Sequence, residues 1–395
     1  MTCGMFGSAG LHYMPIIVPN GFEPNYTVGF VKGLSANGVK PCVISSDTEH
    51  VRLLEKGVRS VNLRGSQEES RPALLKSANM LRYYARLVLY LLNHRNSVVH
   101  FTGLFRNEII LFEGVILNLC LRAISARYLY TAHNVLPHSR ENSRFFKWVY
   151  RVAYTIPHKI IVHTQLAKQQ LVQQFSVPPC KIAVISIGLN EEMPVSDMTR
   201  VHAREFLGYT ERDRVILFFG KADEYKGLDT LIAAFDRLES ASIKLLIAGW
   251  FPNPSYRRKV IALLGSARRK ADIRLHEEFI PNEEVEVFFK SADVLALPHR
   301  HIYQSGVVFL GFRFGVPIVA TDVGSMREFI EEDMGIIART LDAGGFADAL
   351  RQFFETHDRF RREDIVLKAQ KYKWGERCKD LLPLYQGQVA EGEVR

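Results

Sequence analysis

Short runs rich in Val, Ile and Leu alternate along the chain with longer stretches in which apolar residues recur every three to four positions. The first pattern suits buried strands and the second amphipathic helices, so the sequence predicts an α/β architecture with parallel sheets. Strands are expected at 15–18, 41–45, 60–63, 98–101, 128–131, 159–163 and 182–187. A second series is expected at 215–219, 243–248, 273–276, 294–297, 317–320 and 335–337. Between them a polar stretch containing Met and Pro, 188–200, reads as an interdomain linker. Two similar domains follow, with no short-period repeat that would signal a solenoid. Ligands of such sheets bind outside the carboxyl ends of the strands, which places the expected site in the cleft between two open sheets.

Composition adds limits. The 395 residues are 47% hydrophobic and 24% charged, which excludes a largely disordered chain and fits two or three globular domains. Of the net +9, residues 1–185 carry 21 Lys and Arg against 9 Asp and Glu, or +12, leaving −3 for the remainder. The basic first half favours an anionic partner: a membrane surface, a phosphorylated small molecule or nucleic acid. No nucleic-acid-binding module is recognisable, so nucleic acid is not the expected partner. Five scattered cysteines form no C-x-x-C pair, which suggests a reducing, cytoplasmic setting and no zinc site. The N-terminal stretch lacks the basic residues of a secretory signal, and the most apolar stretches, 84–92 and 109–121, are too short to span a bilayer. The helix expected near 74–93 combines Lys76, Arg82 and Arg86 with Leu, Tyr and Val. It suits either packing on the sheet or a membrane surface.

Three segments carry candidate chemistry. In ILFFGKADEYKGLDTLIAAF a strand ends at Gly220, Lys221 and Lys226 lie on a tight loop, and Gly227 opens a helix. Two ammonium groups beside free helix-end amides suit a diphosphate. In LPHRHIYQSGVVFLGFRFGVPIVATDVG, Gln304, Ser305 and Gly306 precede an apolar helix, where the amides of Gly306 and Val307 can serve the same anion. In YLYTAHNVLPHSREN, His133 and Asn134 stand at the end of an apolar run and His138 lies beyond it. His163 occupies a matching strand-to-helix junction, with Thr164 as a credible cap.

The ordered set TAHNVLPH (131–138), KIIVHTQLAKQQL with VPPCKIAVISIG (159–188), FFGKADEYKGLDTLIAAF (218–235), FIPNEEVEVFFKSADVLALP (279–298) and QSGVVFLGFRFGVPIVATDVGSMREFI (304–330) resembles the family-4 glycosyltransferases of the GT-B fold. The terminal KYKWGERCKDLLPLYQ looks like that family's helix crossing back to the N-terminal domain. The resemblance implies two Rossmann-like parallel-sheet domains facing across a cleft: an acceptor domain of residues 1–187 with the crossing helix 375–395, and a nucleotide-sugar domain of residues 188–374. It also implies transfer of a sugar from a UDP- or GDP-linked donor, with retention of configuration and neither metal nor cofactor, to a glycan or lipid-linked acceptor in bacterial surface polysaccharide assembly. The setting would be cytoplasmic, peripheral on the inner membrane face.

By motif, Lys221 and Lys226 would hold the diphosphate, with Gly220, Gln304, Ser305, Gly306 and Val307 around it and Phe279 and Ile280 flanking the base. His133 would lie beside the donor sugar, and Asn20, Gly21, Asn25, Asn134 and His138 on the acceptor side. One departure stands out. The family often carries two Glu before the Gly-Val-Pro turn, but those positions here are Ile302 and Leu310, and no Asp or Glu occurs between Asp293 and Asp322. Two alternatives follow from that loss: a sugar-nucleotide-binding subunit of weak or no activity, and a nucleotide-sugar epimerase, which the missing acids disfavour.

Overall fold

The computed structural model describes residues 14–19, 24–68, 70–103, 105–137 and 142–385. The chain divides into two compact units, one comprising residues up to 163, 167–186 and from 374 onward, the other 164–166 and 187–373.

The first unit holds seven parallel strands: β1 (Ile16–Val18), β2 (Cys42–Ser45), β3 (Ser60–Asn62), β4 (Val98–Phe101), β5 (Arg127–Thr131), β6 (Lys159–Val162) and β7 (Ile182–Val184). Their order is β3-β2-β1-β4-β5-β6-β7. The central strands are apolar on both faces because helices cover both, as parallel sheets require. Strand order reverses between β1 and β4, where the connections diverge and open a crevice. The chain from Trp374 to Tyr385 returns to this unit and packs on helix Pro24–Ala36. Trp374 meets Tyr26 and Phe30 edge-on at 5.0 and 5.7 Å. A Cβ on Gly33 would lie 2.6 Å from the Trp374 carbonyl oxygen, so glycine there permits the approach. Arg127 donates to the carbonyls of Pro383 and Leu384, and the Tyr385 hydroxyl meets Nδ1 of buried His100.

Helix Ala73–Leu92 packs one side into the core of this unit, as the first reading of its sequence expects. Tyr83, Tyr84, Leu87 and Leu91 are buried, while the outer side exposes Leu74 (85%), Leu75, Leu81 and Leu89 beside Lys76, Arg82 and Arg86. The exposed face is therefore mixed apolar and cationic rather than purely cationic. No helix among the described residues is long and apolar enough to cross a membrane.

The second unit holds six parallel strands: β8 (Arg214–Phe219), β9 (Ile243–Ala248), β10 (Ile273–His276), β11 (Val294–Leu297), β12 (Ile318–Thr321) and β13 (Gly335–Ala338). Their order is β10-β9-β8-β11-β12-β13, so this sheet switches direction between β8 and β11. The stretch 188–200, expected as a linker, is docked on this unit. Leu189 and Met193 enter its core, and Arg313 donates to the carbonyls of Asn190 and Met193. Burial of two apolar side chains outweighs the polar look of the segment.

Candidate active site

The second unit's switch point gathers the lysine loop and the Gln-Ser-Gly helix start. Beyond β8 the chain turns at Gly220, forms a single 3-10 turn over Glu224–Lys226 and enters helix Leu228–Phe235 through Gly227. Gly227 has φ +69°, and a Cβ there would stand 2.0 Å from the Pro298 carbonyl oxygen, so this junction admits only glycine. The close approach brings the loop beyond β8 against the loop beyond β11.

Within it Lys226 is 8% exposed. Its Nζ lies 3.6 Å, and Cγ2 of Val307 3.9 Å, from where a Cβ on Gly220 would stand, so ammonium, glycine backbone and the first turn of helix Gly306–Arg313 converge. Burial, and then the charge of Lys221, push the Lys226 pKa down to about 8, against a smaller opposing attraction from Asp223. Lys221 is more exposed and pairs with Asp223 at 3.1 Å. At the helix start Ser305 is buried, but its side chain makes no capping hydrogen bond. Gly306 is exposed, with nothing within 4 Å of where its Cβ would be. The first amides of a helix lack intrahelical partners, and those of Gly306 and Val307, at an exposed helix start, suit an anion.

Two features were not legible as function in the sequence. His299, directly after Pro298, is 1% exposed, with its ring toward the Leu297 backbone. Burial and the neighbouring Lys226 charge lower its pKa to about 3, so it stands neutral beside the ammonium. The next residue, Arg300, donates to Asp229 at 2.7 Å and to the Glu224 carbonyl at 3.1 Å, while its amide donates to the Tyr225 carbonyl. Burial alone would raise the Asp229 pKa, but hydrogen bonds from Lys259, Arg300 and Tyr256 bring it down to about 2. This ion-pair cluster clamps the two loops together. From the other side Ser325 Oγ holds the Tyr303 carbonyl at 2.7 Å. Gln304, next along, is half-buried. Ile302 is buried and Leu310 packs against the core, so the two positions where acids were absent serve apolar packing. Beyond β10, Ile280 is buried and Phe279 is 71% exposed, a free aromatic surface on this unit.

In the first unit His133 is half-buried at the end of β5. Its Nε2 lies 2.7 Å from the Thr102 carbonyl, and its Nδ1 lies 3.2 Å from Nε2 of buried His163, whose Nδ1 faces the Ile185 carbonyl at 2.9 Å. Carbonyls only accept, so each outer nitrogen carries hydrogen and the facing nitrogens of the neutral pair present lone pairs to each other. Burial, opposed by the hydrogen bond to Thr102, lowers the His133 pKa to about 4. Burial and the neighbouring His133 lower that of His163 to about 3. The ring is held through its Nε2–H on the Thr102 carbonyl, and its Nδ1 keeps a lone pair. Asn134 is half-buried beside it, and Asn25 accepts from Arg52 at 2.5 Å. Asn20, Gly21 and His138 lie outside the described residues. Among the described residues no three His, Cys, Asp or Glu side chains gather as metal ligands would.

Comparison with known proteins gives the same assignment from both halves. The family described as Glycosyltransferase Family 4 matches residues 24–193, and that described as Glycosyl transferases group 1 matches residues 213–356. The chain is 28% identical over 248 residues to the D-inositol 3-phosphate glycosyltransferase of Corynebacterium glutamicum; the match covers 60% of this chain and 58% of that relative. Its fold is shared with the sucrose-phosphate synthase of Thermosynechococcus elongatus (TM-score 0.73, 17% identity, 95% of this chain and 98% of that one). It is shared also with Anabaena HepE in complex with UDP-glucose (TM-score 0.71, 12% identity, 94% and 100%). With two Rossmann-like sheets, a lysine-bearing loop at the second switch point and family matches over both halves, the chain belongs to the group 1, family 4 glycosyltransferases of GT-B fold.

Proposed function

We propose that the protein is a retaining, metal-independent glycosyltransferase that moves a sugar from a nucleoside-diphosphate donor to a glycan or lipid-linked acceptor in surface polysaccharide assembly. The observation that carries this reading is the buried Lys226 ammonium facing Gly220 and the first turn of helix Gly306–Arg313. A UDP-sugar bound to a protein of the same fold supports the donor class. In the proposed step the bond from the anomeric carbon to the diphosphate breaks and a bond to the acceptor oxygen forms on the same face. The acceptor proton passes to a departing phosphate oxygen. Charge develops on the leaving diphosphate, and Lys226, Lys221 and the amides of Gly306 and Val307 stabilise it. Arg300 and Asp229 hold both loops in place for this, and Phe279 offers a face for the base.

The lipid-linked acceptor and a peripheral membrane setting draw support from the exposed leucines and cations of helix Ala73–Leu92 and from the +12 first half. Flotation with anionic vesicles tests this: no association at low salt refutes it. The replacement of both acids by Ile302 and Leu310 favours one second reading, a sugar-nucleotide-binding subunit. A thermal-shift panel of UDP, GDP, ADP and their sugar conjugates, followed by assays of hydrolysis and transfer, separates the two. The transferase reading expects a shift from one nucleotide and Lys226→Ala slowing kcat/KM by roughly 10² to 10³. Binding without turnover on any donor moves the subunit reading ahead.

A further inference from the structure

The first unit contains a cationic cavity that the transfer chemistry does not use. It measures about 180 Å³ and lies beneath the start of helix Ala73–Leu92, at the carboxyl ends of β3 and β4. Arg64, Arg71, Lys76 and Arg106 line it, with Glu68 as the carboxylate among the described lining residues. That space takes a phosphate group with its hydration.

Arg64 gives the cavity its sign. It is 4% exposed, yet its Nε and Nη2 have no hydrogen-bond partner. Its guanidinium lies 5.2 Å from the Tyr83 ring centroid, and against burial Tyr83, by charge and a side-chain hydrogen bond, and then Glu49 on helix Asp47–Glu55 favour its charged form. Burial raises the Glu49 pKa, opposed by Arg64 itself. A buried guanidinium with two orphaned donors is costly unless an anion completes it. The rest of the lining is arranged rather than incidental. Arg106 is anchored by buried Glu113, which accepts from its backbone amide and lies 3.9 Å from its Nε, and Glu113 is held in turn by the Tyr84 hydroxyl. Asn79 ties down the loop beyond β3 by donating to the carbonyls of Arg64 and Ser66 at 2.9 and 3.2 Å.

We propose that this cavity binds a phosphate ester, with Arg64 as the buried bidentate partner and Arg71, Lys76 and Arg106 as its rim. Planar guanidinium groups match phosphate oxygens in pairs, which favours this anion over a halide. The ester has two sources, a phospholipid headgroup or a soluble phosphorylated sugar or polyol. Exposed Leu74, Leu75 and Leu81 on the same helix suit the first. If the phosphate belongs to the acceptor, the cavity anchors that substrate; this last step rests on the transferase reading, while the site itself does not.

The test uses full-length Lys226→Ala protein, so that the lysine loop does not contribute. Calorimetric titration with glycerol 3-phosphate, with glycerol as control, is expected to show binding that weakens at least tenfold on adding Arg64→Gln. Because Arg64 is buried, the rim double variant Arg71→Gln/Arg106→Gln is measured in parallel, with circular dichroism melts to verify folding, and the same loss is expected. Phosphatidylcholine vesicles doped with phosphatidic acid are compared with vesicles doped to equal charge with oleic acid. Preference for phosphatidic acid that the rim variant abolishes assigns the headgroup, and glycerol 3-phosphate binding without that preference assigns the soluble ester. No glycerol 3-phosphate binding in the Lys226→Ala protein, or binding indifferent to both sets of changes, overturns the proposal. Absence of sugar transfer with intact phosphate binding would fall on the transferase reading alone.

Discussion

Replacing Lys226 by Met should make the free protein more stable while it weakens donor binding. Lys226 is buried and its pKa lies near 8, against an ordinary 10.5 that the unfolded chain restores. Below pH 8 both states carry the proton, and the native state bears the full cost of the buried charge. At 1.36 kcal/mol per pKa unit that cost is about 3 kcal/mol. Between pH 8 and pH 10.5 the unfolded chain binds more protons than the native one, so stability due to this group rises with pH and the cost disappears. Lys226→Met keeps the apolar stem and removes the charge. Its advantage over the wild type, read from urea unfolding at a series of pH values, should be greatest below pH 8 and vanish by pH 10.5. A diphosphate reverses the balance by favouring the ammonium. Nucleotide binding near pH 9 should therefore take up close to one proton, measurable by calorimetry in two buffers of different ionisation enthalpy, and the variant should not take it up. A variant less stable than wild type at pH 7, or a difference between them that is flat from pH 7 to 10.5, would refute the argument.

Acid should destabilise the first unit below about pH 6.5. Burial depresses His100, His133 and His163, so the unfolded chain binds their protons first; stability should fall as pH drops from 6.5 toward 4, and His163→Asn should flatten that slope in denaturant titrations. At lower pH the Asp229 cluster comes apart. Its depressed carboxylate stabilises the fold above pH 3.8 and loses that contribution as pH falls through about 2, and Asp229→Asn should remove the effect while raising donor KM through looser loops. Gly33→Ala should cost about 1–3 kcal/mol by overpacking against Trp374 and Cys378, read as a lower melting temperature and faster proteolysis of the C-terminal segment. Gly375→Ala, whose Cβ would meet nothing within 4 Å, is its neutral control.

The central strands of both sheets were legible in the sequence because each is a short apolar run covered on both faces, a local signal that needs no tertiary information, while the half-buried edge strands Ser60–Asn62 and Ile273–His276 show it more weakly. Lys221, Lys226 and the Ser305–Gly306 helix start were legible for the same reason, being strand ends followed by turn residues. His299 and Arg300 were not: in HRHIYQ they read as a charged surface turn, and only the approach of Gly227 to Pro298 buries one and pairs the other with Asp229, 71 positions earlier. His133 and His163 were visible singly, but their mutual contact depends on β5 and β6 being neighbours. The cavity around Arg64 draws on β3, β4 and a helix, and no spacing rule links residues 64 and 106. Helix Ala73–Leu92 misled in detail, since composition gives its amphipathicity but not which of its leucines face outward.

The return of the last helices to the first unit sets an order on biosynthesis. Cys378 and Phe30 touch across 348 positions, and Tyr385 meets His100 across 285. A chain emerging from the ribosome has the whole second unit available before residues 374–385 appear, so the first unit waits, with Tyr26, Phe30 and His100 uncovered, until that segment has been made. That interval is when a chaperone would find an apolar surface on the nascent chain. A nonsense mutation anywhere before Trp374 would leave it open permanently, so residues 374–385 act as a seal on the first unit.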